Sequence, residues 1–385
     1  MISRTNRGLL ADWWWEIDRL AVSAMLALIG IGLVLAFAAS PAETARHSAT
    51  HAGNFYYAIK QVVFALIAIG IAIGTSLLSL RSIKVAALVI FVVSVVASAL
   101  VLVAGPEVLG ARRWIDVGGM TLQPSEFLKP SFVVLCAAIL AGQTRISMSR
   151  ELASLVLLVI PLVLLVAEPD IGQTGLLLAL WGAMLFFDGI SLAWIGMITG
   201  AGTTLAGIAY LLVPHVHHRI EQFFAPGKPG FQTGLSMKAF EHGGLTGVGP
   251  GAGTIKYRIP YAHSDFVYAV AGEEFGFVLC ALIAMLFCAL SVRLLLRASS
   301  ARDRFSQLAA AGLSLSVALQ AFINMGVAVH LLPAKGMTLP FISYGGSSLF
   351  AVALTMGFAF GITRQRPESA TNLRQPMTVY REAAA

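Results

Sequence analysis

Ten apolar runs, at about 18–39, 61–80, 83–104, 126–142, 152–168, 172–188, 190–213, 267–296, 306–330 and 344–363, dominate the chain. Each approaches the roughly 20 residues a helix needs to cross the hydrocarbon core of a bilayer. Composition points the same way. Of 385 residues 57% are hydrophobic and only 12% are charged, about half the charged share usual in a soluble domain, and mean hydropathy is +0.81. The runs do not alternate as barrel strands do, and in lipid each segment has to satisfy its own backbone polar groups. The expected fold class is therefore an all-α polytopic membrane protein of about ten transmembrane helices. A short N-terminal segment, 1–17, precedes the membrane domain 18–363, and a tail, 364–385, follows it.

Orientation follows from Lys and Arg near the ends of the runs. With the N-terminus inside, the inner side collects Arg4, Arg7, Arg19, Arg81, Lys84, Arg145, Arg150, Arg293, Arg297, Arg302, Arg304, Arg364, Arg366, Arg374 and Arg381. The short outer connections and helix ends collect only Arg46, Lys60, Arg112, Arg113, Lys129 and Lys335. Both termini are expected to be cytoplasmic. The net charge of +7 reflects this bias and is no nucleic-acid footprint. Cys136, Cys280 and Cys288 fall inside predicted helices, so no disulfide framework is indicated. Ala36-Phe37-Ala38 resembles a signal-peptidase site, but the preceding segment is long and carries Asp12, Glu16 and Asp18, so the first run is expected to stay as a span. Trp13, Trp14 and Trp15 are expected to form an interfacial belt.

Three connections are long, 105–125, 214–265 and 331–343, and all three fall on the outer side. Segment 214–265 is rich in Phe and Tyr, so short amphipathic helices on the membrane surface are expected around 218–225 and 233–242. The stretch 247-GVGPGAGT-254 neither follows a strand nor matches a P-loop and reads as a flexible turn rather than a phosphate cradle. His215, His217 and His218 lack a fourth ligand at zinc spacing.

Ionisable groups within or beside spans are costly and mark sites or internal pairs. Glu126 and Lys129, at i, i+3, share a helix face, where they either form a structural ion pair or meet a substrate. Glu168 and Asp170 lie in a turn so tight that both carboxylates are expected at the outer surface, with Asp170 also suited to begin the sixth helix. Glu273 and Glu274, two turns into the eighth span, read as buried partners for basic residues, and Lys60 begins the second span. Asp265 stands where the long outer segment meets the eighth span, beside His263 and Ser264. It is either a helix N-cap or a carboxylate base at the boundary of water and lipid, made more basic by partial desolvation.

Five motifs carry a family resemblance: 112-RRWIDVGGMTLQPSEFLK-129, 168-EPDIGQT-174, 244-GLTGVGPGAGTIKYRIP-260, 262-AHSDFVYAVAGEEFG-276 and 333-PAKGMTLPFISYGGSS-348. Together with the ten runs, they make residues 15–365 similar to the SEDS family of bacterial cell-wall polymerases, which includes FtsW, RodA and SpoVE. Lys335-Gly336-Met337-Thr338 before Leu339-Pro340-Phe341 is similar to the FtsW, or division, branch.

The resemblance implies a peptidoglycan glycosyltransferase that joins lipid II units into glycan strands during septal wall synthesis, on the extracytoplasmic side of the bacterial inner membrane. It implies that Asp265 is the catalytic residue, as general base or metal ligand. Glu126, Lys129, Asp170 and Lys60 are implied to line the site, with His263 and Ser343 from the matching motifs. The lipid diphosphate leaving group needs charge neutralisation, for which Lys129, Lys60, Arg112, Arg113 and Lys335 are candidates, with a divalent cation such as Mg²⁺ as a possible helper. Implied partners are a class B penicillin-binding transpeptidase and other divisome membrane proteins. The chain departs from the family at Tyr261, where many members carry an acidic residue, and at Tyr257, where some FtsW proteins do. The alternatives are a lipid II flippase and a non-catalytic divisome scaffold. No internal repeat is visible and the candidate groups gather at the outer face, which favours an enzyme over a transporter.

Overall fold

The computed structural model describes residues 9–46, 53–108, 111–117, 120–144, 147–212, 217, 221, 230–333 and 336–364. It is an all-α polytopic membrane protein. A short helix α1 (Leu9–Glu16) leads into α2 (Arg19–Arg46), α3 (Tyr56–Ser76) and α4 (Leu80–Ala104). Two small antiparallel hairpins follow: β1 (Glu107–Val108) pairs with β2 (Ala111–Arg112), and β3 (Ile115–Val117) with β4 (Met120–Leu122). Then come α5 (Ser125–Leu140), α6 (Arg150–Ala167), α7 (Ile171–Asp188) and α8 (Leu192–Leu212). The short α9 (Phe231–Gly243) and a 3-10 turn (Ile255–Tyr257) precede α10 (Val267–Ser299), α11 (Arg304–Ala328) and α12 (Gly346–Thr363).

Every one of the ten apolar runs contains a helix, and among the described residues eight of these helices are long and apolar enough to span a bilayer. Of the other two, α5 of the fourth run and α8 of the seventh, α5 is the informative one. It has 16 residues, about 24 Å of rise, and is enclosed by protein along nearly its whole length. Enclosure lets α5 carry Glu126 and Lys129, since neither has to meet lipid. The outward faces of α3 and α4 remain apolar and exposed, with Ile59, Leu66, Leu88, Val92, Val96 and Val103 turned away from the bundle, as lipid contact requires.

Trp13 differs from the interfacial role expected of it. It is buried, and its indole Nε1 donates to Ser76 Oγ at 2.7 Å, tying α1 to the end of α3. Trp14 and Trp15 instead take Arg19 over their rings, at 5.6 and 4.1 Å.

In the long outer segment, the predicted helix at 233–242 is α9, whereas most of 218–225 lies outside the described residues. α9 packs on the first turns of α10, where a Cβ at Gly243 would overlap the Gly272 carbonyl and one at Gly272 would overlap the Phe240 ring. α10 itself is interrupted at Gly276, whose φ of 74° and ψ of −172° break the ladder. The break exposes backbone groups inside the protein, and the chain from 244 to 249 satisfies them. Val248 and Gly249 donate their N–H groups to the carbonyls of Glu273 and Glu274, at 3.0 Å each. Phe277 and Val278 donate to the carbonyls of Gly244 and Leu245, at 3.0 and 3.2 Å. Leaving these four groups unpaired in an apolar setting would cost several kcal/mol each, on the order of 2–7. The stretch read as a flexible turn is therefore a splice in a membrane helix.

Candidate functional site

Asp265 lies in the turn 260–266 that enters α10. The N-cap of α10 is Phe266, with no side-chain cap bond, so Asp265 does not cap the helix. Three consecutive carbonyls around it are instead pinned from other elements. His263 O accepts from Tyr344 N at 2.9 Å. Ser264 O accepts from Ser343 Oγ at 2.5 Å, and Asp265 O accepts from Asn324 Nδ2 at 2.8 Å. The turn also holds Tyr261 at a φ of 56°, with its carbonyl receiving the N–H groups of Ser264 and Asp265 at 3.1 Å each. A side chain there rarely adopts a left-handed backbone without such support. Asp265 is half-buried, and this burial pushes its pKa up to about 6; His263 and the Ser264 hydroxyl pull it back, and Asp170 adds a small push upward.

His263 packs against Tyr57 and Tyr344, with ring centroids 5.1 and 5.2 Å away, and its Nδ1 lies 3.1 Å from Glu43 Oε2. The Tyr57 contact brings the first turn of α3 to the site, and Gln61 Nε2 reaches Ser343 O at 3.2 Å. Lys60, on the same turn, places Nζ 4.6 Å from the Tyr56 ring centroid. Ser343 uses its hydroxyl twice, donating to Ser264 O and accepting Leu339 N at 2.7 Å, so it fastens two loops together.

Glu126 and Lys129 form the expected pair, at 2.7 Å, and both are buried. Lys129 Nζ also donates to Gln320 Oε1 at 2.8 Å, and Gln173 Nε2 donates to Glu126 Oε1 at 2.5 Å. Gln320 passes the chain on through its Nε2 to the carbonyl and hydroxyl of Thr338, at 3.1 and 3.2 Å. One turn later on α11, Asn324 Nδ2 donates to both Met337 O, at 2.6 Å, and Asp265 O. A single polar chain thus runs from α7 through α5 and α11 to the turn that carries Asp265.

Glu168 and Asp170 are both buried, 1% and 6% exposed, which corrects their expected place at the outer surface. The turn between α6 and α7 folds inward because Arg113 clamps it. Arg113 donates to Glu168 O at 2.7 Å and Pro169 O at 2.6 Å, and its Nη1 lies 4.0 Å from Asp170 Oδ2. Asp170 caps α7 by accepting Gln173 N at 3.2 Å, and its other oxygen accepts Gln123 Nε2 at 3.2 Å. The Glu168 carboxyl is pushed up to about 7 by burial, partly countered by the Ser98 hydroxyl.

Arg112 turns away from this group. It donates to Val103 O at 3.1 Å and lies 4.0 Å from Glu107, so it braces the first hairpin against the end of α4. Lys335 lies outside the described residues; its neighbour Gly336 is close enough to Asp265 that an added Cβ would sit 3.3 Å from Oδ2. Sequence reasoning passed over Glu43, Gln173, Gln320 and Asn324. A signal did exist for the last two: polar amides at i, i+4 within an apolar run share one face and have to find partners inside the bundle.

Among the described residues no three His, Cys, Asp or Glu side chains gather as metal ligands. The Asp265 carboxylate has oxygens of the kind Mg²⁺ takes when substrate phosphates supply the rest of its shell.

The chain resembles known proteins over almost its whole length. The "Probable peptidoglycan glycosyltransferase FtsW" of Caulobacter vibrioides is 38% identical over 367 residues, covering 95% of this chain and 94% of that one. The protein of the same description from Nitrosomonas europaea is 35% identical, covering 87% and 89%. Among solved structures, a chain of a peptidoglycan synthase complex, described as coordinating polymerization and crosslinking, superposes with a TM-score of 0.75 at 25% identity, covering 90% of this chain and 97% of that one. The rod shape determining protein RodA of Thermus thermophilus superposes with a TM-score of 0.68 at 26% identity, covering 92% and 99%. Residues 19–368 match the FtsW, RodA and SpoVE family, described as "Cell cycle protein". With that span matched and relatives above one-third identity along the full fold, the chain belongs to the FtsW/RodA/SpoVE family.

Proposed function

We propose that the protein is a peptidoglycan glycosyltransferase that polymerises lipid II, with Asp265 as its catalytic base. The observation that carries this reading is an acidic side chain freed from any capping duty, on a turn whose three neighbouring carbonyls are held by α11 and the 339–344 turn. A half-buried carboxylate with a pKa near 6 is ionised at neutral pH yet basic enough to take a proton in the transition state.

In the proposed reaction Asp265 removes the proton of an acceptor sugar's 4-hydroxyl as the oxygen attacks the anomeric carbon of the donor. The bond to the lipid diphosphate breaks on the opposite face, and the diphosphate leaves with both electrons. Diphosphate is a good leaving group and needs charge neutralisation more than an acid. Lys60 and Lys335 are the cations assigned to that task, with Arg113, whose donors clamp the 168–170 turn, adding only its field; in the alternative role of metal ligand, Asp265 would help hold a Mg²⁺ ion that adds to the neutralisation, instead of acting as the base. Lys129 is committed to Glu126 and Gln320, which assigns it to shaping the site. His263, held against Tyr57 and Tyr344, sets the electrostatic surroundings of Asp265.

The family's description as a cell cycle protein supports wall synthesis at division as the setting, and the positive-inside bias supports an extracytoplasmic site with both termini in the cytoplasm. A class B penicillin-binding transpeptidase and other divisome membrane proteins are the partners this role calls for. The test is polymerisation of labelled lipid II by the purified protein with its transpeptidase, with crosslinking blocked, comparing wild type with Asp265→Asn. Glycan from wild type and none from a folded, partner-binding variant is the expected result. Undiminished glycan from the variant removes Asp265 from the chemistry, and none from either protein turns attention to lipid translocation.

A further inference from the structure

The carboxylate of Glu273 has no part in that chemistry, and neither does the glycine-rich stretch 247–254. Each accounts for the other. Glu273 is fully enclosed. Its Oε1 accepts the N–H groups of Thr254 at 2.8 Å and Ile255 at 2.7 Å, and its Oε2 accepts that of Lys256 at 2.9 Å. Successive amides aimed at one point form a nest of the kind that binds phosphate elsewhere. Here an internal carboxylate fills it, and only glycine fits above it, since a Cβ at Gly253 would lie 2.9 Å from Oε2. His242 Nδ1 closes the remaining side at 3.1 Å from Oε1.

Glu274 completes the anchor. It accepts Gly251 N at 3.1 Å and pairs with the buried ammonium of Lys256. Lys256 Nζ also donates to Ala38 O at 2.9 Å, within a turn of Pro41 on α2, where the missing proline N–H loosens the carbonyl ladder. The turn bearing Asp265 is thus a closed excursion. One end is held on the second turn of α10 by Glu273 and Glu274, and the other end is the start of α10 itself.

We propose that Glu273 is a positioning residue for Asp265, fixing where the excursion begins and so where its carboxylate meets the acceptor hydroxyl. This rests on the polymerase reading above. Packing and the three carbonyl bonds at 263–265 keep the turn folded without the nest, because Ile259, Ala262 and Phe266 are also buried in a shared cluster with Leu235, Val270 and Val327. Without the filled nest the turn stays attached but loses its register.

The test uses the full chain with its transpeptidase and two variants. Glu273→Gln puts an NH₂ against one of the amide donors, and Glu273→Asp keeps the charge but withdraws it by one methylene. For lipid II polymerisation we expect kcat to fall about 10- to 100-fold in Glu273→Gln, the scale of a base misplaced by about 1 Å, and less in Glu273→Asp. KM should hold within about twofold, because ground-state binding is untouched. Hydrogen exchange on the wild type should find amides 254–256 as protected as those of α10, and faster in Glu273→Gln.

A folded Glu273→Gln enzyme with wild-type kcat, or one that changes KM alone, overturns the proposal. So do rapid exchange at 254–256 in the wild type, and loss of folding in both variants, which would make Glu273 a stability residue. Wild-type protein that makes no glycan overturns the polymerase reading itself and the positioning role with it, whereas an active wild type with an unaffected variant overturns only the latter.

Discussion

Whether Lys129 serves the fold or the substrate can be decided by a double-mutant cycle with Glu126. Both side chains are 4% exposed, the pair is 2.7 Å apart, and the free valences are taken by Gln320 and Gln173. Lys129→Met leaves a carboxylate inside the bundle with one neutral donor. Removing one partner of a buried pair costs about 3–5 kcal/mol, whereas replacing both by uncharged groups of similar volume is close to neutral. Glu126→Gln and Lys129→Met should each therefore destabilise by about that amount, and the double variant by about 0–2 kcal/mol, a coupling of at least about 4 kcal/mol. Thermal unfolding in detergent at one scan rate is a suitable assay in a background where the exposed Cys288 is replaced by Ser, because Cys136 and Cys280 are buried and become reactive to a thiol dye only as the bundle opens. Each single variant should lower the midpoint by about 4–6 °C. Additive losses in the double variant would refute the pairing argument. A Lys129→Met protein of unchanged midpoint but raised KM for lipid II would show that the ammonium is spent on substrate.

Two further predictions concern pH. With Asp265 as the base, kcat/KM should climb about tenfold per unit below an apparent pKa near 6 and level off above about pH 7; a flat profile from pH 5 to 8 would sink the assignment. Glu168 titrates near 7 when folded against 4.5 as a free side chain. Its contribution to stability is therefore complete below about 4.5 and lost as pH rises through 7, a penalty of about 3 kcal/mol for the ionised form. Glu168→Gln should accordingly raise stability at pH 8 by up to about 3 kcal/mol and by less than about 1 kcal/mol at pH 5; equal effects at both values would show that the carboxyl is not titrating in place.

Much of this protein is written locally. A run of apolar residues near bilayer length has only one inexpensive backbone state in lipid, so helices and their approximate ends follow from composition alone. Glu126 and Lys129 at i, i+3 on one helix had to meet for the same reason of short range. What the local pattern does not carry is which partner answers a polar group across tens or hundreds of residues. The amide nest of 254–256 is meaningless until Glu273 arrives inside it, and the carbonyl of Asp265 finds its donor on Asn324, 59 residues away. The inward turn of Glu168 and Asp170 depends on Arg113 from a hairpin more than fifty residues earlier. Glycines at 243, 247, 272 and 276 mark contacts where backbone meets backbone or an aromatic ring, and nothing in their local sequence announces it. Sequence therefore determined the membrane bundle, because lipid acts on each segment alone, and pointed to a candidate acid only through the motifs it shares with a known family. Tertiary structure decided which acids are buried, which are fasteners and which, like Asp265, caps no helix, because those outcomes depend on donors delivered from elsewhere in the fold.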